Sequence, residues 1–172
     1  MIPGFVLAGG ASRRFGADKA LHPVEGVPMA ARVARAMAEV ASSVTLVAPD
    51  RRLEDLGWPL LVEPAEGPRH PLRGVVAALA ACAAPRALLC PCDLPWMTPQ
   101  ALAALVDMGE PAVAAVDGRV HPLVAALPVA WLPRARALLE AGAPCRALVE
   151  PARIVPLPAA ALRNVNRPED VR

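Results

Sequence analysis

Short apolar segments alternate with longer segments rich in alanine and leucine along almost the whole chain. The short segments predict strands at residues 4–7, 43–47, 60–62, 87–90, 112–116, 120–127 and 153–157. The longer segments predict helices at residues 29–40, 72–83 and 131–141, together with one that begins after Thr98. A last helix is expected to begin within residues 164–172, with Pro168-Glu169-Asp170 in its first turn, where acids favour the helix dipole. This alternation is typical of an α/β domain with a mainly parallel sheet.

Turn and cap residues mark the boundaries of several of these elements. Asp117-Gly118 separates two predicted strands and is a typical hairpin turn, so one strand of the sheet should be antiparallel. Thr98 can accept a hydrogen bond from a free N–H group at a helix start, and Pro99 suits the first helical position. A long loop is expected between the first strand and Gly26.

Three conspicuous features directly follow predicted strands. Gly9-Gly10 follows the first strand, Glu63 the third and Asp93 the fourth. In an open α/β sheet the ligand crevice lies at the carboxyl ends of the strands. We therefore expect these features to converge in space, although they lie far apart in the sequence.

Composition and charge argue against nucleic-acid and membrane partners. The 172 residues are 55% hydrophobic and 20% charged, which excludes global disorder, and no linker divides them, so one domain is expected over residues 1–172. The net charge is only +2 and aromatic residues make up 3%, which gives no support for nucleic-acid binding. No apolar run reaches the roughly 18 residues of a membrane span, and the N-terminus lacks the basic region of a signal peptide. The expected location is the cytoplasm.

Several polar residue types are scarce, which makes the remaining ones candidates for function. Lys19 is the one lysine among 18 basic residues, and Asn164 and Asn166 are the only asparagines. The four cysteines are too few and too irregularly spaced for a disulfide framework. Cys90-Pro-Cys92 has no second pair at zinc-ligand spacing, so both cysteines are expected to be buried strand residues.

The loop after the first strand has the character of an anion-binding loop. Residues 7–21 read LAGGASRRFGADKAL, and their glycines let backbone N–H groups approach a ligand closely. Arg14 and Lys19 add cations suited to phosphate oxygens. The loop matches neither a Walker A motif nor a dinucleotide-binding fingerprint.

This loop resembles the signature loop of the nucleotidyltransferases typified by molybdenum cofactor guanylyltransferase, whose pattern is Leu-Ala-Gly-Gly-x-Ser-x-Arg-Met-Gly-x-Asp-Lys. Phe15 stands where that family usually has methionine. The resemblance continues in the right order through residues 26–28, 70–74, 91–95, 121–123 and 164–170, so it spans nearly the whole chain.

The resemblance implies a fold and a reaction. The fold would be a Rossmann-like three-layer α/β/α sandwich of the nucleotide-diphospho-sugar transferase type. The reaction would transfer GMP from GTP to molybdenum-bound molybdopterin, with release of pyrophosphate. Transient contacts with other molybdenum cofactor biosynthesis proteins and with acceptor molybdoenzymes would follow. The attacking molybdopterin phosphate is already ionised at neutral pH, so catalysis would consist of positioning and charge stabilisation.

The resemblance also assigns the phosphate and metal residues. Arg14 and Lys19 would neutralise the triphosphate, and Asp93 would hold Mg²⁺. A divalent ion shields triphosphate charge, and magnesium commonly takes only one or two protein carboxylates. From the residues alone, Asp93 suits an Asx turn or a helix cap ahead of Thr98 at least as well.

The nucleotide residues show two departures from the family pattern. Glu63 stands where the family tends to have an aspartate near the guanine, and Asp50 replaces an asparagine often seen after the second strand. Both departures concern the nucleobase rather than the phosphates. The residues expected to bind the nucleotide are Leu7, Ala8, Gly9, Gly10, Arg14, Lys19, Glu63 and Asp93.

The two asparagines are candidates for the acceptor side. Positions i and i+2 of an extended segment point the same way, so Asn164 and Asn166 would present two carboxamides on one face. Such a face suits a heteroaromatic ring such as a pterin, although either asparagine could instead cap the final helix. His121 could contact the same substrate or be structural.

Two other functions stay open at this point. One is a related nucleotidyltransferase that uses CTP or a sugar 1-phosphate, and the other is a catalytically silent nucleotide-binding module. Leu-Ala-Gly-Gly, rather than Leu-Ala-Ala-Gly, favours guanine by resemblance.

Overall fold

The structure is a computed structural model that describes residues 1–9, 19–64 and 69–171. The apolar segments of the sequence form its strands. The strands are β1 (Gly4–Leu7), β2 (Pro23–Val24), β3 (Val27–Pro28), β4 (Val44–Ala48), β5 (Leu60–Val62), β6 (Arg86–Pro91), β7 (Ala112–Val116), β8 (Arg119–Pro128) and β9 (Arg153–Pro156). The α-helices are α1 (Met29–Ala38), α2 (Leu72–Ala81), α3 (Pro99–Asp107), α4 (Leu132–Glu140) and α5 (Arg146–Val149). In the described ranges, no helix has both the length and the apolar character needed to cross a bilayer.

Seven of these strands form one sheet in the order β5-β4-β1-β6-β8-β7-β9. Strand β8 is antiparallel to β6 and β7, whereas the other neighbouring pairs of this sheet are parallel. The β7–β8 turn places Asp117 at φ 48° and Gly118 at φ 75°, the left-handed conformations that a tight hairpin turn requires. The predicted hairpin and the single antiparallel strand are confirmed.

The helices cover both faces of the sheet because side chains alternate along each strand. In β1, Val6 packs with the apolar cluster that includes α1 and α3. Phe5 and Leu7 pack on the opposite face with the cluster that includes α2, α4 and α5. This arrangement is the three-layer α/β/α sandwich that the resemblance implied.

The chain reverses its direction of travel across the sheet at β1. Helix α1 leads from the N-terminal part of the chain to β4 on one side of β1, and α2 leads back to β6 on the other side. The crevice at such a reversal point is the usual ligand site of an open α/β sheet. A ligand site is therefore expected at the carboxyl ends of β1 and β6.

The long loop expected before Gly26 contains regular structure. A 3-10 helix spans Lys19–Leu21, and β2 and β3 form a two-stranded hairpin. Glu25 and Gly26 form its turn at φ 51° and 77°. Arg32 of α1 donates to the Val24 carbonyl at 3.1 Å and thereby attaches the hairpin to the helix. Each strand of this hairpin is only two residues long, which is too short to produce an alternating pattern in the sequence.

The helix expected to begin within residues 164–172, with Pro168-Glu169-Asp170 in its first turn, is present as a short 3-10 helix rather than an α-helix. In the described part of this segment, only Pro168–Val171 is helical, as a 3-10 helix. The Asp170 carboxylate accepts hydrogen bonds from the backbone N–H groups of Asn166 and Arg167, each at 2.8 Å. These bonds lower the pKa of Asp170 and cap the turn. A residue that precedes a proline is disfavoured in the α-helical conformation by steric clash, so the residues ahead of Pro168 follow an irregular path.

The predicted N-cap of α3 is confirmed, and it supports a stability prediction. Thr98 Oγ1 accepts a hydrogen bond from the Ala101 N–H group at 3.2 Å. Thr98→Ala should lower the free energy of unfolding by about 1 kcal/mol in urea denaturation. Thr98→Ser keeps the hydroxyl and serves as the control. Equal stabilities of the alanine variant and the original chain would contradict the capping role.

Candidate active site

Pairing of β1 with β6 brings Asp93 beside the start of the glycine-rich loop. Leu7 lies in register with Pro91, and the Cys92 N–H group donates to the Leu7 carbonyl at 3.0 Å. Cys90 is 0% and Cys92 7% exposed, as expected for buried residues at a strand end, and burial raises the pKa of the Cys90 thiol well above its ordinary value. Buried strand residues thus fix the backbone that carries Asp93.

The lone lysine joins two other predicted site residues. Lys19 Nζ donates to Asp93 Oδ2 at 2.9 Å and to Asn166 Oδ1 at 3.0 Å. The Lys19 and Asp93 side chains are 17% and 21% exposed, so water screens their attraction less than that of a surface pair. Residues that are widely separated in the sequence therefore converge at the carboxyl ends of β1 and β6.

A buried valine positions the two asparagines. The Val165 N–H group donates to the Asp93 carbonyl at 2.9 Å, and its side chain is 0% exposed. Nearby, the Arg163 guanidinium lies 4.3 Å from the ring centre of Trp96, which packs against the same apolar cluster. Asn164 and Asn166 flank the buried valine and are both exposed. The carboxylate of Asp170, described above, caps the last turn.

A pocket of about 210 Å³ opens beside Asp93. Its polar lining includes Asp93, Asn164, His121 and Cys145, and apolar residues such as Leu123 complete it. Burial lowers the pKa of His121, and the Arg119 charge lowers it further, while Asp93 opposes the shift. At neutral pH the imidazole is therefore neutral and can both donate and accept hydrogen bonds. Nothing in the sequence singled out Cys145.

Glu63 lies at the end of β5 and is only 7% exposed. Its Oε2 atom is 3.7 Å from Arg73 Nε. Burial raises the pKa of the Glu63 carboxyl, and the Arg73 charge opposes that shift. Sequence reasoning did not identify Arg73. Asp50, the other departure from the family pattern, is bound by Arg52, whose Nε donates to Asp50 Oδ1 at 2.6 Å.

Some backbone groups at the start of the glycine-rich loop form hydrogen bonds with neighbouring strands of the sheet. Leu7 is buried in the core, and the Ala8 N–H group donates to the Val47 carbonyl at 2.7 Å. Gly9 is exposed at the end of this strand. Gly10 and Arg14 lie outside the described residues.

The donor set at Asp93 suits one kind of metal. Within residues 1–9, 19–64 and 69–171, there is no group of three or more His, Cys, Asp or Glu side chains that could hold a metal ion. Magnesium needs no such cage when substrate phosphates and water complete its coordination. A single, partly exposed carboxylate at a pocket edge is compatible with that mode of binding.

Comparisons with known proteins agree on a family. A family model described as MobA-like NTP transferase domain matches residues 4–155. The molybdenum cofactor guanylyltransferase of Cupriavidus necator is 32% identical over 155 residues, which cover 82% of this chain and 77% of that protein. That of Rhodobacter capsulatus is 35% identical over 144 residues, covering 81% and 75%. The crystal structure of molybdopterin-guanine dinucleotide biosynthesis protein A from Archaeoglobus fulgidus shares the fold, with a TM-score of 0.78 at 19% identity over 99% of this chain and 95% of that one.

Proposed function

Because the chain belongs to the MobA-like NTP transferase family, we propose that it transfers GMP from GTP to molybdenum-bound molybdopterin and releases pyrophosphate. The chain is a nucleotidyltransferase, and the family resemblance noted in its first loop is confirmed. The observation that carries the site assignment is the contact of Lys19 with both Asp93 and Asn166. This contact brings together Lys19, proposed to bind phosphate, Asp93, proposed to hold the metal, and Asn166, proposed to bind the acceptor.

The phosphate side of the proposal rests on charge. The Lys19 ammonium is directed at the carboxyl ends of β1 and β6, where it can donate to triphosphate oxygens, and Arg14 would add a second cation. Asp93 would hold Mg²⁺, which when bound shields the triphosphate and stabilises the leaving pyrophosphate. The start of the glycine-rich loop would bind the nucleotide through Leu7, Ala8, Gly9 and Gly10.

The acceptor side of the proposal rests on the pocket beside Asp93. Asn164 and the neutral His121 line it, and both can donate and accept hydrogen bonds to a pterin ring. Asn166 is exposed and accepts a hydrogen bond from the Lys19 ammonium, which also donates to the pocket residue Asp93. An acceptor phosphate from this side would meet the nucleotide at Asp93, as in-line attack on the α-phosphorus requires. Its own negative charge at neutral pH makes a protein base unnecessary.

Nucleotide choice tests the proposed reaction. Pyrophosphate release would be measured with GTP and with CTP, each with and without molybdenum-bound molybdopterin. We expect GTP to be preferred by at least about 100-fold, because a site built to hydrogen-bond one base leaves polar groups unpaired with another. A preference for CTP would indicate the cytidylyl alternative. Nucleotide binding without pyrophosphate release would indicate a silent binding module.

A further inference from the structure

We infer that Glu63 and Arg73 form a buried positioning pair that holds the Gly9 backbone in place for the nucleotide, and that Glu63 does not itself recognise the base. This inference deepens the proposed function and rests on it, because it assumes that the end of β1 binds a nucleotide. The pair gives Arg73 a role in the reaction that the motifs did not assign.

The space beside Gly9 is filled by the Glu63 carboxylate. A Cβ atom added to Gly9 would lie 2.4 Å from Glu63 Oε1, and one added to Gly74 would lie 3.1 Å from the same atom. The first distance is shorter than any real contact of a Cβ atom, and the second is tight. Gly9 and Gly74 therefore form two sides of a cradle for this carboxylate. The missing side chain at Gly9 makes room for a protein group beneath the loop.

Arg73 holds the carboxylate from the other side. Its Nε atom lies 3.7 Å from Glu63 Oε2, and the two side chains are only 12% and 6% exposed. Another nitrogen of the same guanidinium donates to the carbonyl of Pro64, the next residue after Glu63. Arg73 thus contacts both the charge of Glu63 and the adjoining backbone, which restricts how far the carboxylate can move.

Two features of the surroundings favour the ionised form of this buried carboxylate. Burial raises the pKa of the Glu63 carboxyl, and the charge of the nearby Arg73 guanidinium opposes part of that shift. Leu72, Arg73 and Gly74 also form the first turn of α2, whose N-terminal N–H groups favour a negative charge. Removing one partner of such a pair leaves an uncompensated buried charge, which makes the geometry sensitive to Arg73.

Burial also argues against direct contact between Glu63 and the base. Glu63 is 7% exposed, whereas Gly9 directly above it is exposed. The family tends to have the shorter aspartate at this position. The additional methylene of glutamate lets the carboxylate reach beneath Gly9, where it supports the loop from the protein side.

Binding measurements separate positioning from base recognition. Calorimetry would compare Mg-GTP, Mg-ITP and Mg-tripolyphosphate on the original chain, Arg73→Met and Arg73→Lys. ITP lacks the 2-amino group that a base-recognising carboxylate would accept from, and tripolyphosphate lacks the base. We expect Arg73→Met to weaken all three ligands by the same factor, about 10-fold or more, because small misplacements of a binding group have large effects. Arg73→Lys should restore part of the affinity.

Other patterns would overturn the inference. A changed ratio of GTP to ITP affinity would show that Glu63 recognises the base. Unchanged affinities together with a lower melting temperature would show that the pair only stabilises the fold. Failure of the original chain to bind Mg-GTP would contradict the proposed function itself, and this inference with it.

A second variant tests the contact beneath Gly9 without altering Arg73. Gly9→Ala should weaken the same three ligands, because its Cβ atom would displace the Glu63 carboxylate. Glu63→Asp withdraws that carboxylate by one methylene, so the double variant should bind more tightly than Gly9→Ala alone. Melting curves would establish that each variant is folded. Additive effects of the two changes would overturn the proposed contact.

Discussion

Asp93→Ala should reduce Mg²⁺-dependent pyrophosphate release by about 10³-fold, since a metal ion supplies several kcal/mol of charge stabilisation in such reactions. The Asp93 carboxylate contacts Lys19, which belongs to the proposed phosphate side, and it lines the pocket proposed for the acceptor. It therefore lies where the two substrates would meet. The chain should stay folded, since the Asp93 carbonyl that accepts from the Val165 N–H group remains in the variant. Pyrophosphate release at saturating GTP, with a melting curve, provides the measurement.

Two further variants make the result specific. Asp93→Asn keeps the shape of the side chain and an oxygen that can accept from Lys19, yet it removes the negative charge. It should lose nearly as much activity as Asp93→Ala if the carboxylate holds the metal. Asp107→Ala removes an exposed aspartate at the end of α3 and should retain full activity. Full turnover of Asp93→Ala would exclude Asp93 from the mechanism and favour its structural alternatives.

The sheet was the most predictable part of this molecule. Residues 60–62 and 112–116 form strands at the predicted bounds, because turn-forming residues such as Pro59 and Pro111 precede the apolar runs. Within residues 164–172 the sequence indicated where the last helical turn begins, but not that this turn is a 3-10 helix of four residues. The backbone N–H groups of Asn166 and Arg167 both donate to the Asp170 carboxylate. Local chemistry of this kind has no periodic signal.

The candidate site shows a similar division. Convergence of Gly9 and Asp93 follows from strand topology, which makes it predictable from the order of elements. Scarcity drew attention to Lys19 and Asn166, but their direct contact depends on how the C-terminal segment packs through Val165. Arg73 could not be singled out in the sequence, because it is one of many arginines. Its proposed role depends on contact with Glu63, which follows β5.

Lys19→Met should reduce turnover by about 10²–10³-fold, the usual effect of removing one donor that stabilises developing charge. Affinity for Mg-GTP should fall as well, because methionine has nearly the length of lysine but no ammonium group. Binding of Mn²⁺ without nucleotide should change in the opposite direction. The ammonium now lies 2.9 Å from Asp93 Oδ2 and repels any cation that approaches this carboxylate. Electron paramagnetic resonance of free Mn²⁺ would therefore report tighter binding to the variant.

Lys19→Arg is the matched control for charge. The arginine keeps a positive charge, but its planar, more weakly hydrated guanidinium cannot reproduce contacts that a compact ammonium makes to Asp93 and Asn166 at 2.9 and 3.0 Å. We expect intermediate turnover, with Mn²⁺ affinity close to that of the original chain. Full activity of Lys19→Arg would mean that charge alone suffices. In that case, retention of the one lysine among 18 basic residues would have no explanation in the chemistry of this site. Unaltered GTP affinity and turnover of Lys19→Met would contradict the phosphate role altogether.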